Sequence, residues 1–372
     1  MPSLLTLPAP WAERGAPPPP EATYIVAEIG KGFIQSEDER PVEEYLANAI
    51  ALVDAAAEAG VDAVKFQTHE VSDEQAALAV TSPHFRGADR HAWVSRNTRA
   101  TPLDRFWMPL IAHCRRRGVT AFTTPMSRGA ARKLAALDLP FWKVGSGDLL
   151  DFVLLDHLAA TGKPVILSTG MASWAEVDEA VSFLAARGTA VALLYCVSQY
   201  PAPAEHFNLA TIERLRERYP HAPVGFSDHS IGHEIALAAI AAGARILEKH
   251  FSFSRTLWGS DHKVSMTPRE LADLVRAVRN GASRAVSPGP WYGRLDRELD
   301  GATNEFRPYF HKTLVAAADL AAGTTLTRES VLALRPRLHL PGLPSNRFPD
   351  VLGRTLDRSV RALEPLPETV VP

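Results

Sequence analysis

Short apolar runs alternate along the chain with longer segments in which apolar residues recur every three or four positions. The short runs are typical of buried parallel strands, and the longer segments are typical of helices that cover such strands with one face. Eight strand–helix units in succession predict a closed (β/α)₈ barrel. The predicted strands span residues 24–29, 63–67, 120–124, 141–144, 165–168, 190–195, 224–227 and 246–251.

The chain has 372 residues, which exceeds a barrel of roughly 250 residues and leaves room for a second, smaller domain. A proline- and glycine-containing stretch interrupts the barrel pattern after residue 286, and new apolar runs follow it. The predicted organisation is a flexible Pro-rich arm (1–22), a barrel domain (23–286), a linker (287–308) and a small C-terminal domain (309–372).

Charge and cysteine content limit the partners and the compartment. With a formal net charge of −2, the chain lacks the excess positive charge that is typical of proteins that bind nucleic acid or an anionic membrane surface. The longest nearly apolar stretch, 235–244, is far shorter than the roughly 20 residues that span a bilayer. Two cysteines argue against a disulfide framework and favour a reducing compartment, so we expect a cytoplasmic protein. Cys196 is expected to be buried and inert.

Polar side chains stand where the predicted strands end, and in barrels the chemistry lies at those carboxyl-terminal ends. We therefore expect one active site there. The polar segment 68–100 leaves the same face and is a candidate lid, since long loops of compact domains are usually functional or disordered. The strand-end residues are Glu28, Lys65, Gln67, Thr123, Lys143, Ser146, Ser168, Ser198, Tyr200, Ser227, His229, Glu248 and His250.

Two histidines occupy matched places on consecutive strands. Residues two apart in a strand face the same side, so His229 points with Ser227, and His250 points with Glu248. Neighbouring strands lie roughly 4.8 Å apart, which lets the two imidazoles meet on one divalent ion. A mixed nitrogen and oxygen set favours Mn²⁺, Zn²⁺ or Fe²⁺ over Ca²⁺.

A second group of strand-end residues suits an anion. Lys65 and Lys143 flank the third strand, and small turns at 145–147 and 168–170 add hydroxyls and backbone N–H groups near Ser227. Such turns bind phosphate because no Cβ blocks the approach. The residues therefore predict a phosphate or carboxylate pocket, although Lys143 could instead be a Schiff-base lysine of an aldolase.

Taken together, the strand-end segments resemble the sialic acid synthase family, the phosphoenolpyruvate-dependent nonulosonic acid synthases. The resemblance runs in order from about Tyr24 to Val286, and the C-terminal part resembles the antifreeze-like (SAF) domain of these enzymes. The segments that carry it are AEIG at 27–30, VKFQT at 64–68, FTTPMS at 122–127, KVGSGD at 143–148, LSTGM at 167–171, YCVSQYP at 195–201, GFSDH at 225–229 and EKHF at 248–251.

The resemblance implies a role for each matching residue. His229 and His250 would bind Mn²⁺, and Arg335 would complete the active site of the partner subunit in a homodimer. Phosphoenolpyruvate would be held by Lys65, Lys143, Ser146, Ser168 and Ser227. The amino sugar would be contacted by Glu28, Gln67, Asp148, Tyr200 and Asp261, and Ser198 would be a further substrate-binding residue. Of these, the residues expected to take part in catalysis are Glu28, Lys65, Lys143, Asp148 and His250.

The chain departs from the family pattern at the sugar end. The family's Asn-His after Glu-Ile-Gly is replaced by KGFIQ at 31–35, and the glycine expected after Arg335-Pro336 is delayed to Gly342. Lys31 could meet an anionic group of the substrate, while Phe33 and Ile34 could fill space left by a smaller substituent.

These observations lead us to expect a metal-dependent synthase that condenses phosphoenolpyruvate with an aldose or N-acylated amino sugar. The alternatives are a pyruvate aldolase and a non-catalytic sugar-binding homologue.

Overall fold

The computed structural model describes residues 20–85 and 87–370. Eight parallel strands close into a barrel in chain order, with β1 pairing with both β2 and β8, as the alternating pattern predicted. Residues 1–19 of the predicted arm lie outside the described part of the chain. The strands are β1 (Tyr24–Gly30), β2 (Ala63–Thr68), β3 (Thr120–Pro125), β4 (Trp142–Val144), β5 (Val165–Ser168), β6 (Val191–Cys196), β7 (Val224–Asp228) and β8 (Ile246–His250).

Capping residues mark the ends of several helices. Ser173 and Glu176 form a reciprocal capping box at the start of one helix, and Thr267 and Glu270 form another. The first helix ends at Gly60, whose φ of 85° suits a residue without a Cβ. The helices are α1 (Val42–Ala59), α2 (Arg90–Ala100), α3 (Met108–Arg116), α4 (Arg128–Lys133), α5 (Phe152–Ala160), α6 (Trp174–Ala185), α7 (Ala210–Arg218), α8 (Glu234–Ala241), α9 (Pro268–Arg279), α10 (Arg307–Phe310) and α11 (Phe348–Val351). Within the described ranges, none of them is long and apolar enough to cross a membrane.

Two apolar cores follow from the alternation of side chains along each strand. Outward-facing residues pack against the helices, and inward-facing residues form a separate cluster inside the barrel. At Gly225 a Cβ would lie 2.3 Å from the carbonyl oxygen of Ile246, so this interior layer has no spare room there. The apolar layer fills the lower barrel, and the next inward-facing residues of each strand are polar. The interior cluster consists of Tyr24, Val26, Ala63, Phe122, Phe141, Ile166, Ala192, Leu194 and Ile246.

The C-terminal domain contains the antiparallel pair β9 (Thr313–Ala316) and β10 (Val331–Leu334). It packs against the barrel beside α4 and α5. The Arg128 Nη1 donates to the Arg328 carbonyl at 2.6 Å, and Arg328 forms an ion pair with Asp156 at 2.6 Å. Between the two domains, the connector 287–308 passes along α7, where Asn208 Nδ2 donates to the Arg294 carbonyl at 3.0 Å.

A buried ion pair joins the last two barrel strands on their outer side. Lys249 Nζ lies 2.7 Å from Asp228 Oδ2 and donates to the carbonyl of Ser230 at 2.6 Å, and both charged side chains are fully buried. Asp228 and Lys249 each lie next to inward-facing residues of their strands, so their own side chains point to the outer face of the barrel. The pair therefore stabilises the strands that carry the two histidines.

Replacing Lys249 with Met should lower the free energy of unfolding by about 3–5 kcal/mol, because Asp228 would keep a buried charge without its partner. Urea denaturation followed by circular dichroism measures the change. Arg269→Met is the matched control, since its ion pair with Asp273 is exposed and should contribute little. Equal stability of the two variants would contradict the assignment.

Candidate active site

A cavity opens at the carboxyl-terminal ends of the barrel strands. The structure brings the predicted catalytic, substrate-binding and metal-binding residues to its wall, although their individual roles stay predictions. The strand-end residue Thr123 does not line the cavity: its hydroxyl lies 2.7 Å from that of Thr68, and the neighbouring Thr124 faces the cavity instead. The predicted residues that line it are Glu28, Lys65, Gln67, Lys143, Ser146, Asp148, Ser168, Ser198, Tyr200, Ser227, His229, His250, Asp261 and Arg335.

Two lysines and two carboxylates form the floor of the cavity. Lys65 Nζ lies 2.8 Å from Glu28 Oε2 and 3.5 Å from Glu248 Oε1, and it donates to Thr124 Oγ1 at 3.1 Å. Lys143 Nζ lies 3.8 Å from Glu248 Oε2. All four charged side chains are buried, so each depends on the others for its counter-charge.

Mutual pairing shifts the pKa values of these four groups. Burial opposes the charged form of Glu248, yet Lys143 and Lys65 lower its pKa to about 2. Burial raises the pKa of Glu28 despite the nearby Lys65, and Glu248 raises it further. Burial would lower the pKa of Lys65, but the two carboxylates raise it. Lys143 has a lowered pKa, chiefly because it is buried.

Three serines surround these lysines with hydroxyl groups. Lys143 Nζ donates to Ser168 Oγ at 2.6 Å, and Ser227 Oγ donates to Glu248 Oε1 at 3.0 Å. Ser146 Oγ accepts from the Gly170 backbone N–H at 3.1 Å. Two ammonium groups and three hydroxyls on one face can together bind an anion with several oxygens.

The two histidines stand side by side, as their strand positions predicted. Their ring centroids are 5.3 Å apart, and the ring of Tyr200 lies 4.1 Å from that of His229. His229 Nδ1 lies 2.9 Å from the Val197 carbonyl, which selects the tautomer with a free Nε2. Burial lowers the pKa of His250 to about 3, so its imidazole is neutral at physiological pH.

The two histidines provide only part of the ligand set that a divalent ion needs. A neutral imidazole such as that of His250 is an ordinary ligand for transition metals, whereas the pKa of His229 is raised by Cys196 despite its burial. In the described part of the chain, no group of three or more His, Cys, Asp or Glu side chains is arranged around a metal position. An ion here would therefore take the remainder of its ligands from water or substrate.

Cys196 also lies at this wall. Its Sγ is 3.8 Å from His229 Nδ1, and its side chain is buried, as expected. The thiol nevertheless contributes to the cavity lining, which the expectation of an inert core residue did not include.

Lys31 crosses the mouth of the site beside Gln67. Its Nζ donates to Gln67 Oε1 at 2.5 Å and lies 3.7 Å from Asp261 Oδ2. Gln67 Nε2 in turn donates to Glu28 Oε1 at 2.8 Å, which links the mouth to the floor. Asp261 also pairs with His84 Nε2 at 3.1 Å.

The other altered residues of segment 31–35 have a different role from the one expected. Phe33 and Ile34 are fully buried in the core, and the Phe33 ring packs 4.8 Å from that of Phe106. The expectation that they fill space in the sugar site is wrong, because they face the helices and not the cavity. Lys31 alone of this segment lines the site.

Arg335 reaches the cavity from the C-terminal domain. Its Nη2 donates to Asp148 Oδ1 at 2.5 Å, and its Nε lies 3.9 Å from Glu74 Oε1. Lys312, from the same domain, lies 3.2 Å from the same Asp148 oxygen and 2.6 Å from Asp151. The domain is thereby joined to the barrel through buried ion pairs.

The expectation that Arg335 completes the active site of a partner subunit stays a prediction. Within the described chain its guanidinium lies at the cavity of its own barrel. The connector that leads to it follows the same barrel, where Arg307 donates to the carbonyl of Met171 at 3.0 Å and to Glu176 at 2.8 Å. The predicted homodimer itself stays a prediction.

Several residues of the cavity were given no role by the sequence analysis. Glu248 was noted only as a strand-end residue. Its spacing of two residues from His250 puts both side chains on the same side of the strand, and this was the signal that could have assigned it to the site. The others come from the predicted lid and the connector, where no periodicity indicates direction. The lid contains helix α2 at its end and is not a continuous loop. These residues are His69, Glu74, His84, Arg90, Phe306 and Phe310.

Comparison with known proteins gives a consistent family and fold. A model described as the NeuB family matches residues 52–287, and one described as the SAF domain matches residues 311–369. The chain is 30% identical over 357 residues to the spore coat polysaccharide biosynthesis protein SpsE of Bacillus subtilis, across 92% of this chain and 90% of that protein. The crystal structure of SpsE superposes with a TM-score of 0.74 at 28% identity and covers 96% of each chain.

Two further relatives are named for the acids they make. The chain is 30% identical over 368 residues to N-acetylneuraminate-9-phosphate synthase of Drosophila melanogaster, across 93% of this chain and 95% of that protein. It is 29% identical over 315 residues to N,N'-diacetyllegionaminic acid synthase of Campylobacter jejuni, across 83% and 91%.

Glu74 should make the stability of the protein pH-dependent. Despite its burial, His69 and Arg335 lower its pKa to about 2, from 4.5 for a free carboxyl. Its contribution is complete above the unfolded pKa and is lost as the pH falls towards about 2. Glu74→Gln should therefore cost about 3 kcal/mol at pH 7, and the difference from the native chain should shrink below pH 5.

Urea titrations of both proteins at several pH values would measure this difference. Glu39→Gln is the control, because Glu39 is exposed and pairs only with the exposed Arg99. A Glu74→Gln penalty that stays constant between pH 7 and pH 3 would contradict the ion-pair origin.

Proposed function

The chain belongs to the NeuB family, and we propose that it condenses phosphoenolpyruvate with an aldose or N-acylated amino sugar, releasing phosphate and a 3-deoxy-2-ulosonic acid. The observation that carries this proposal is the floor of the cavity. Lys65 and Lys143 lie with three serine hydroxyls in the same cavity as the histidine pair, which supports an anion site beside it. A donor that carries both a phosphate and a carboxylate suits such a site.

The residues of the floor hold the donor and balance its charge. We propose that Lys65 and Lys143 bind its anionic groups while Ser146, Ser168 and Ser227 donate hydrogen bonds. Serine hydroxyls are suited to this because they rotate to meet either an acceptor or a donor. Glu248 currently accepts from Ser227 and pairs with both lysines, so these contacts rearrange when the donor binds.

The condensation forms one carbon–carbon bond and breaks one carbon–oxygen bond. C3 of the enol attacks the aldehyde carbon of the sugar, and its electron pair comes from the C2–C3 double bond. Water then adds to C2, and phosphate leaves with the bridging oxygen, so the product carries a C2 ketone and no phosphate from the donor. The floor and the mouth hold the two reactants against each other, which contributes through proximity and orientation.

A divalent ion such as Mn²⁺, held by His229 and His250, would polarise the sugar carbonyl. Asp148, Asp261, Gln67 and Tyr200 then remain to orient the sugar, because they line the outer part of the same cavity. Asp148, Asp261 and Gln67 are hydrogen-bonded to Arg335, His84 and Lys31, respectively, which fixes their positions before substrate arrives.

Two further features of the enzyme are part of the proposal. We propose a homodimer, as the resemblance to the sialic acid synthases implies, and light scattering would detect it as twice the mass of 40.5 kDa. We also propose a cytoplasmic location, supported by the two free cysteines Cys114 and Cys196, both buried.

Removal of divalent metal should abolish turnover, and Mn²⁺ should restore it. His250→Ala should lose most of the bound metal and at least about a thousandfold in kcat, because carbonyl polarisation contributes several kcal/mol. Metal content by mass spectrometry and phosphate release are the measurements. His221→Ala, an exposed histidine far from strand β8, is the control; full activity of a metal-free preparation would refute the role of metal.

Cleavage of the carbon–oxygen bond predicts the fate of label from ¹⁸O-water. The ketone or its hydrate should carry ¹⁸O, and the released phosphate should carry none. Mass spectrometry of both products decides the matter, since labelled phosphate would mean attack at phosphorus. Borohydride trapping of pyruvate on Lys143, without phosphate release, would instead favour a Schiff-base aldolase, the alternative that the lowered pKa of this lysine allows.

A further inference from the structure

Arg90 is a buried arginine in the wall of the cavity. It is the first residue of helix α2 and is only 8% exposed. The helix spans 11 residues, and its N-terminal end is capped by Asp89, whose side chain accepts from the Ala92 backbone N–H at 3.0 Å. A positive charge at a helix N-terminus is unfavourable, so this position needs another reason.

The Arg90 guanidinium has no acidic partner. Across residues 20–85 and 87–370, no hydrogen bond or ion pair is made by its nitrogen atoms, and its Nε is buried and unsatisfied. The centroid of the Phe310 ring lies 4.3 Å from its Cζ, so the ring packs against the guanidinium without accepting a conventional hydrogen bond from it. A buried guanidinium without hydrogen bonds costs several kcal/mol unless something accepts from it.

The nearby carboxylates are already engaged. Glu74 pairs with His69 at 2.7 Å and Asp148 with Arg335 at 2.5 Å. Across the same mouth, Asp261 lies between Lys31 and His84.

Arg335 adds a second positive charge near Arg90, and together with burial it lowers the Arg90 pKa to about 10. Arg90 therefore remains charged at neutral pH.

Arg90 also lies apart from the donor floor. Arg90 and Arg335 pack against the same ring, since the Cζ atoms lie 4.3 Å and 5.8 Å from the centroid of Phe310. Arg335 in turn donates to Asp148 Oδ1 at 2.5 Å. Arg90 therefore lies at the end of the cavity that holds Asp148 and Arg335, where the proposed function puts the acceptor.

We propose that Arg90 binds an anionic group, a phosphate or a carboxylate, on the acceptor sugar. This inference rests on the proposed function and narrows its acceptor to anionic sugars. A guanidinium offers two parallel N–H groups, which match two oxygens of either anion. The bound anion supplies the missing acceptors and counter-charge.

Arg90→Met tests the proposal because it keeps the length and the contact with Phe310 but removes the charge. Initial rates would be measured at saturating phosphoenolpyruvate with a neutral N-acylated hexosamine, its 6-phosphate and a hexuronic acid. For the anionic sugar that the native enzyme prefers, kcat/KM should fall by about 100- to 1000-fold, as expected for loss of a buried charge pair. The kcat/KM for the neutral sugar should change by less than about threefold. Arg90→Lys should recover part of the kcat/KM that Arg90→Met loses with the anionic sugar.

Arg99→Met is the matched control on the same helix, because Arg99 is exposed and pairs with Glu39 outside the cavity. Thermal unfolding of each variant checks that it is folded. Calorimetric titration with the 6-phosphate and the uronic acid gives a second readout that needs no turnover, and Arg90→Met should bind the preferred one at least tenfold more weakly.

Three outcomes would overturn the proposal while leaving the proposed function standing. The neutral sugar could be the best acceptor of the native enzyme, the variant could retain binding and turnover of both anionic sugars, or its KM could rise for phosphoenolpyruvate alone. A different outcome would separate the two proposals. If an anionic sugar binds in an Arg90-dependent manner but no acceptor leads to phosphate release, the proposed function is refuted and the anion site is supported. If Arg90→Met loses turnover and affinity for only one of the two anionic sugars, that sugar identifies the group that Arg90 binds, a phosphate or a carboxylate.

Discussion

The structure depends on the neutralisation of four charges buried in the upper half of the barrel. Lys65 and Lys143 can lie there only because Glu28 and Glu248 lie within 4 Å of one or both of them. The apolar layer beneath excludes water and strengthens these interactions. A ligand with two negative groups can share the lysines with these carboxylates, so the ammonium groups that neutralise the floor also suit a dianionic donor.

Strand periodicity made most of the fold and the floor of the site predictable. Inward and outward positions alternate along each strand, so once Ile246 is inside the barrel, Glu248 and His250 must be inside as well, while Lys249 must face outwards. The predicted strands agree with the observed ones to within one or two residues for the same reason. Glu28, Lys143 and Ser227 were found by the same reasoning, because each is the first polar inward residue above the apolar layer.

The remaining parts could not be obtained from periodicity. His84, Glu74 and Arg90 come from segment 68–100, where polar residues predominate and the direction of each side chain is set by contacts distant in sequence. Phe33 was misjudged because its sequence neighbours lie at the site, whereas its ring packs with Phe106 in the core. The position of Arg335 beside its own barrel follows from no local pattern either, because it depends on the path of the connector, which contacts Asn208 and is fixed by Arg307.

The two ends of the cavity are built on different principles, and this difference bears on specificity. The floor comes from barrel strands, whose positions are fixed by the sheet, and its charges balance one another. The mouth comes from loops, α10 and the C-terminal domain, and its three carboxylates pair with Lys31, Arg335 and two histidines, which leaves Arg90 without an ion pair in the described part of the chain. Loops tolerate substitution far better than strands do. A change of acceptor therefore requires only the mouth to change, as with Lys31 and Arg90, while the donor chemistry below is retained.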